Sequence, residues 1–88
     1  MTFTTYVLYS KTFDKIYIGH SSDIQRRITE HNTGESRYAK RYAPWELVYS
    51  EEFPTRSEAM KREKELKSQK GREFIWNLLY GRVLQLTD

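Results

Sequence analysis

A single carboxylate within an apolar helical stripe is the most informative chemical feature of this sequence. The carboxylate is Glu63, and its neighbours at three- and four-residue spacing include Ala59, Met60 and Leu66. A glutamate is almost never fully buried without a partner or a metal ion. Two interpretations follow. Glu63 either pairs with Lys67 one helical turn later, or it binds a hard divalent cation.

An arginine on the preceding helix could supply a phosphate contact. Arg27 is spaced three and four residues from Ile24 and His31, so it lies on the inward face of a helix, whereas Arg26 points outward. The planar guanidinium matches two phosphate oxygens, which makes Arg27 a candidate phosphate clamp. The alternative is that its aliphatic stem covers the edge of a sheet.

Two tyrosines occur in strand-like segments near the N-terminus. A hairpin that pairs Tyr6 with an odd-numbered residue, such as Tyr17 or Gly19, would place both tyrosines on one face. They serve either as packing residues or as part of a reactive site. Gly19 leaves room for a backbone or a ligand to approach closely.

The segments that must position these groups predict a small α+β domain. Runs rich in β-branched and aromatic residues predict strands over 3–9, 16–19 and 45–51, the first two forming an antiparallel hairpin. A three-stranded antiparallel sheet flanked by helices, in the order β-β-α-β-α-α, is the expected fold. We expect one domain over residues 1–88.

Capping residues and apolar spacing predict three helices. Ser22 with Gln25 predicts the start of the first, which Asn32 and Gly34 end. Thr55 with Glu58 predicts the start of the second, over 57–67. Gly71 is expected to separate it from a third helix over 72–80. Residues 35–44 lack periodicity and are interpreted as a basic loop.

Composition and charge narrow the functional classes. The 88 residues contain no cysteine, which excludes disulfides and thiolate zinc sites. No apolar run is long enough for a membrane span and the start does not resemble a signal peptide, so a soluble, cytoplasmic protein without membrane contact is expected. Basic residues lie among aromatic ones, a pattern that suits phosphate contact and base stacking or, equally, a solvated surface. In the segment around Tyr38 they are Arg37, Lys40 and Arg41.

Taken together, these residues resemble the GIY-YIG nuclease superfamily. The sequence Thr-Thr-Tyr at 4–6, followed by Tyr-Ile-Gly at 17–19, resembles the paired signature, although the first half lacks the usual Gly-Ile. The block from Asp23 to Asn32 resembles the arginine helix of the family, and 57–67 its glutamate helix. The likeness covers about residues 3–79 and is closest to short stand-alone bacterial members related to the N-terminal domain of excinuclease C.

The resemblance implies a metal-dependent DNA endonuclease that serves in repair or recombination. Tyr6 and Tyr17 match the signature tyrosines, Arg27 the arginine on the scissile phosphate, and Glu63 the one protein ligand of Mg²⁺ or Mn²⁺. Tyr6 is the first candidate for the general base. His31 and His20 are rivals, since imidazole ordinarily titrates near pH ~6.5.

The expected nucleic-acid contacts extend beyond the reacting groups. They are Gly19, His20, Arg26, Arg37, Lys40, Arg41 and Lys67. DNA is the expected partner, with RNA also open, and specificity would come from substrate shape, a protein partner or a homodimer. Two other functions compete: a nucleic-acid-binding module with the same fold but negligible cleavage, and a protein-interaction domain, which would require exposed Trp45, Phe53 and Trp76.

Overall fold

A three-stranded antiparallel sheet forms the centre of the protein, as the sequence predicts. The computed structural model describes residues 1–34 and 37–87, with side chains described as far as Gly81. The strands are β1 (Phe3–Ser10), β2 (Lys15–Ser21) and β3 (Glu46–Phe53). Their order in the sheet is β2-β1-β3, so β2 has one free edge. Each strand overlaps a predicted one.

Within the described residues, four helices cover the sheet, one more than the sequence predicts. They are α1 (Ile24–Thr33), α2 (Arg37–Tyr42), α3 (Arg56–Lys67) and α4 (Gln69–Thr87), which gives the order β-β-α-α-β-α-α. The prediction of a loop over 35–44 is wrong for residues 37–42, which form α2. Residues 35 and 36 of the predicted loop lie outside the described part of the chain. With six residues, α2 is too short to show helical periodicity. Tertiary contacts stabilise it: Ala39 is buried, and its carbonyl accepts a hydrogen bond from the Trp45 indole at 2.9 Å.

The helix caps agree with the sequence in part. Asp23, rather than the predicted Ser22, caps α1 by accepting a hydrogen bond from the backbone nitrogen of Arg26 at 3.1 Å. Gly34 ends α1 in the left-handed conformation, at a φ of 82°, as its stop signal predicts. Thr55 caps α3 as predicted, accepting from the backbone of Glu58 at 3.2 Å.

Gly71 does not separate two helices as predicted, because α4 begins at Gln69 and passes through it. A Cβ at this position would lie 2.4 Å from the Cα of Leu66. The glycine therefore allows the start of α4 to pack directly on the end of α3. Its role is close helix approach, which a sequence pattern cannot distinguish from a helix break.

The sheet carries an apolar layer on each face. Val7 and Ile18 pack against Leu66, Ile75 and Leu79 of the last two helices. On the other face, the buried cluster consists of Tyr6, Leu8 and Trp45, and the first two helices add partly buried residues to it. The exposed aromatic surface that a protein-interaction domain would require is not formed by these residues, because Trp45 is buried and Phe53 and Trp76 are partly buried.

The predicted alternation along β3 breaks at one residue. The register of β1 against β3 shifts between Val7 and Leu8, so Val48 is an extra residue opposite them. Val48 and Tyr49 consequently both pack against the α3–α4 side of the sheet. Among the described residues, none of the helices has the combined length and apolar character that crossing a bilayer requires.

Candidate active site

The two signature tyrosines lie together beside a glycine on the edge strand. Tyr6 pairs with Gly19 across the β1–β2 hairpin, as one of the predicted registers requires. The rings of Tyr6 and Tyr17 stack with centroids 6.4 Å apart. A Cβ at Gly19 would lie 2.8 Å from the Tyr6 hydroxyl oxygen and 3.1 Å from Cε1 of Tyr17. The missing side chain therefore makes the space that the two rings occupy.

The Tyr6 hydroxyl is buried without a hydrogen-bond partner among the described residues. Burial is the largest influence on the pKa of Tyr6 and raises it above its ordinary value of 10.0. The Arg27 guanidinium lies close enough to oppose that rise, although the contact falls short of hydrogen-bond geometry. Tyr17 and Glu63 raise the pKa further. The hydroxyl of Tyr6 is thus within electrostatic range of Arg27, Tyr17 and Glu63.

His31 packs edge-to-face against the ring of Tyr17. It is buried on α1, with its ring 4.4 Å from that of Tyr17 and 6.1 Å from that of Trp45. Its Nδ1 lies 2.8 Å from the backbone carbonyl of Arg27. A carbonyl only accepts, so Nδ1 carries a proton, and Nε2 is the acceptor of the neutral ring. The arrangement establishes His31 as a packing residue beside Tyr17, and its role as a base stays a prediction.

Arg27 lies in a polar cleft of about 240 Å³ at the start of α1. One of its guanidinium nitrogens donates to Glu30 at 3.0 Å, and its side chain is 40% exposed. The remaining donors are therefore available to an anion in the cleft. Arg26 also lines the cleft, and so does Arg56 from the start of α3. Three arginines around one cleft favour a phosphate group there.

Glu63 of α3 faces His20 of β2, which also lines the Arg27 cleft. His20 Nδ1 is 2.6 Å from Glu63 Oε1, and Lys67 Nζ is 2.6 Å from Oε2. Because a carboxylate only accepts, His20 donates through Nδ1. Burial alone would raise the pKa of Glu63, but Lys67 and His20 outweigh it and hold that pKa below its ordinary value. The ion pair with Lys67 that the sequence suggested is formed, and the carboxylate is kept charged.

The Glu63 side chain is chemically suited to a hard divalent cation. It is a partly buried carboxylate whose Oε2 already binds a cation, the ammonium of Lys67. Within the part of the chain that the structure describes, no group of three or more histidine or acidic side chains converges on one point. An ion at Glu63 would therefore keep most of its water ligands, which Mg²⁺ commonly does.

The predicted nucleic-acid contacts fall into two groups. Gly19, His20, Arg26 and Lys67 surround the tyrosine, arginine and glutamate site on β2, α1 and α3. The basic residues of α2 do not line the Arg27 cleft. In that helix, the Lys40 side chain packs beside Gly34 and the Arg41 guanidinium lies over the Tyr42 ring at 5.6 Å.

The sequence prediction missed the roles of two residues, Arg56 at the site and Asn32 in the scaffold around it. Arg56 places a guanidinium nitrogen 3.5 Å from His20 Nε2 and lies 4.9 Å from the centre of the Phe3 ring. Asn32 holds the start of β3, since its amide donates to the Trp45 carbonyl and accepts from the Trp45 nitrogen. Arg56 looks like an ordinary helix-start charge, and Asn32 like a helix stop. Only the docking of distant elements gives them these positions.

Comparisons with known proteins were made for both sequence and structure. A family model described as the GIY-YIG catalytic domain matches residues 2–77. A UPF0213 protein of Staphylococcus saprophyticus is 48% identical over 54 residues, and one of Haloquadratum walsbyi is 45% identical over 56. These alignments cover 60% and 62% of this chain. They span 66% and 63% of the length of the two relatives, which is just under two thirds.

Two solved structures have a similar fold. The solution NMR structure of a UPF0213 protein from Bacillus halodurans gives a TM-score of 0.53 at 33% identity, covering 89% of this chain and 85% of that one. The solution NMR structure of a protein from E. faecalis gives 0.55 at 34% identity, covering 90% and 88%.

Proposed function

Since this chain belongs to the GIY-YIG nuclease family, we propose that it is an endonuclease that hydrolyses phosphodiester bonds in DNA with one Mg²⁺ or Mn²⁺ ion. The observation that carries the proposal is that Arg27 and His20 line one polar cleft, and that His20 Nδ1 lies 2.6 Å from Glu63 Oε1. Together with Tyr6, whose pKa both Arg27 and Glu63 influence, the arginine and the carboxylate supply the groups such a reaction needs. A role in DNA repair or recombination belongs to the same proposal.

Arg27 would hold a non-bridging oxygen of the scissile phosphate. Its side chain is 40% exposed and has one described carboxylate partner, Glu30. It therefore keeps donors for an anion while Glu30 fixes its orientation. Arg26 and Arg56 line the same cleft and would hold neighbouring phosphates. Charge-assisted contacts of this kind stabilise the negative charge that grows on the phosphate as water attacks.

Glu63 would hold the metal ion through Oε2, after Lys67 has moved away. Lys67, whose side chain is 48% exposed, would swing aside, whereas His20 would stay hydrogen-bonded to Oε1 and keep the carboxylate oriented. When bound, the ion would polarise the phosphate and stabilise the leaving 3′ oxygen. Arg56 would in turn fix the His20 ring through Nε2.

Tyr6 would accept the proton of the attacking water. Burial raises its pKa, so the hydroxyl must lose its proton against an unfavourable equilibrium, and Arg27 is the neighbour that lowers the cost of doing so. Tyr17 would keep the Tyr6 ring in place, and His31 would keep Tyr17 in place. His31 Nε2 is the rival proton acceptor, since Nδ1 is already committed to the Arg27 carbonyl.

A binding module without cleavage is the second candidate function. One observation favours it: both oxygens of Glu63 already have partners at 2.6 Å, so the fold does not need an ion to satisfy them. In that function, the arginine cleft would hold phosphates and the exposed aromatic residues would contact bases. It predicts DNA binding with a steep salt dependence and no strand cleavage.

The test is cleavage of labelled duplex, single-stranded and branched DNA in Mg²⁺ or Mn²⁺. We expect the wild-type protein to cut at least one substrate, and Glu63→Gln to lose cleavage while it stays folded and keeps its DNA affinity. Glu58→Gln, an exposed change on the same helix, is the matched control and should cut normally. If the wild-type protein binds DNA but cuts none of the substrates, the nuclease proposal is wrong and the binding module is the function to adopt.

A further inference from the structure

An open groove of about 340 Å³ runs along the free edge of β2, outside the arginine cleft. Its floor is formed by Ile16, Tyr17 and Ile18 of the edge strand. Lys67 and Arg72 line one wall and Tyr38 of α2 lines the other. Lys67 also contacts Glu63, so the groove begins at the carboxylate proposed to hold the metal ion.

The aromatic wall of the groove is the ring of Tyr38, which is held in place by neighbouring rings. The Tyr38 ring lies nearly parallel to that of Trp45, with centroids 6.1 Å apart, and meets the edge of Tyr42 at 4.9 Å. Trp45 is itself buried and fixed by its hydrogen bonds to Ala39 and Asn32. Tyr38 nevertheless stays 47% exposed. A ring supported on one side and open on the other presents a rigid surface on which another ring can stack at little entropic cost.

The opposite wall carries positive charge. Lys67 is 48% exposed along its side chain, and Arg72 is anchored through its Nε to the Lys67 carbonyl at 3.1 Å. The other guanidinium donors of Arg72 have no described partner. Cations spaced along a groove with an aromatic wall are the combination that binds a nucleic-acid strand through its phosphates and bases.

We infer that this groove holds an unpaired stretch of the nucleic-acid strand next to the scissile phosphate. Tyr38 stacks on one unpaired base, and Lys67 and Arg72 contact the flanking phosphates. The inference rests on the proposed function for the position of the scissile phosphate. A base inside a duplex is covered on both faces, and extruding it costs a few kcal/mol, so the groove selects substrates that are already unpaired there. Substrates of this class are single strands, flaps and junctions.

Binding without cleavage tests this inference separately from the nuclease. The protein is titrated in EDTA against fluorescein-labelled single-stranded DNA, single-stranded RNA of equal length and a blunt duplex, with fluorescence anisotropy as the measurement. We expect the wild-type protein to prefer a single strand. Tyr38→Ala should weaken single-strand binding about 5-fold or more, since stacking on one aromatic ring contributes on that scale, and change duplex binding less than 2-fold.

Two control variants make the result specific. Tyr38→Phe keeps the ring and should bind single strands like the wild type. Tyr80→Ala removes an exposed tyrosine of α4 that is not among the groove-lining residues, and this variant should also bind normally. Arg72→Gln should reduce the salt dependence of single-strand binding by about one phosphate contact.

The inference is overturned if Tyr38→Ala binds single strands like the wild type while its melting temperature is unchanged. It is equally overturned if the variant loses duplex and single-strand binding to the same extent. A Tyr38-dependent dimer in sedimentation, without any effect on DNA or RNA, would instead assign the groove to a second copy of the chain. Weaker binding of Tyr38→Ala to single-stranded DNA or to single-stranded RNA supports the inference. The polymer that the wild-type protein binds more tightly is then the one the groove prefers. Because EDTA prevents cleavage, a failed nuclease assay leaves this result unaffected.

Discussion

Tyr6→Phe should make the protein more stable and less active at the same time. The substitution removes only the hydroxyl, which is fully buried and has no described hydrogen-bond partner. An unsatisfied buried polar group costs about 1–3 kcal/mol. Because Arg27 lies beside the hydroxyl and partly compensates it, we take the lower end, about 1 kcal/mol.

This gain in the free energy of unfolding corresponds to a measurable increase in melting temperature. For a domain of this size, about 1 kcal/mol corresponds to a rise of about 4–8 °C. Thermal unfolding followed by circular dichroism or calorimetry gives the value. Tyr17→Phe is the control, because its hydroxyl is not among the buried unsatisfied groups and its removal should not raise the melting temperature.

The same variant should lose activity. Removing a group that accepts a proton in the transition state typically costs about 10²–10⁴-fold in rate, which single-turnover cleavage would show. A stable protein with a disabled site is therefore the expected outcome for Tyr6→Phe. A variant that melts below the wild type, or that melts higher but cuts at the normal rate, would refute the reasoning about the buried hydroxyl.

The remaining predictions concern packing, the metal site and pH. Gly19→Ala should destabilise the protein by about 1–3 kcal/mol through overpacking, because the new methyl would meet the Tyr6 hydroxyl at 2.8 Å; chemical denaturation measures this, and an unchanged midpoint would disprove the close contact. Lys67→Met should tighten Mn²⁺ binding about 2-fold in calorimetry, since it removes a competing ion pair that contributes about 0.3–0.5 kcal/mol. Lys64→Met should have a smaller effect, and weaker binding in Lys67→Met would contradict competition. With Tyr6 as base, its raised pKa keeps the hydroxyl protonated at neutral pH, so the cleavage rate should rise about tenfold per unit from pH 6 to 9; a rate that levels off near pH 7 would favour a histidine base instead.

The hairpin and its tyrosines were accessible to sequence reasoning because their geometry is local. Strand alternation with a short turn restricts the register, and pairing Tyr6 with Gly19 brings the rings together without information from elsewhere in the chain. The cap at Thr55 was predictable for the same reason, since its partner lies three residues away.

The features that escaped prediction depend on contacts between distant segments. Helix α2 owes its existence to Ala39 and Trp45 rather than to its own periodicity. Gly71 looked like a break, yet the backbone of α3 requires it. Arg56 reaches the site only because α3 docks across β2. Neither the composition nor the residue spacing of a single segment indicates these contacts between distant segments.

The most direct test of a metal centre at Glu63 is the dependence of single-turnover cleavage on Mn²⁺ concentration. The proposed site has one carboxylate and no second cluster of ligands in the described part of the chain. The rate should therefore follow a simple saturation curve with a Hill coefficient of 1, and Glu63→Gln should give no cleavage at any concentration reached. Cleavage that persists in EDTA, that requires two cooperative ions, or that survives in Glu63→Gln would contradict a one-metal nuclease centred on Glu63.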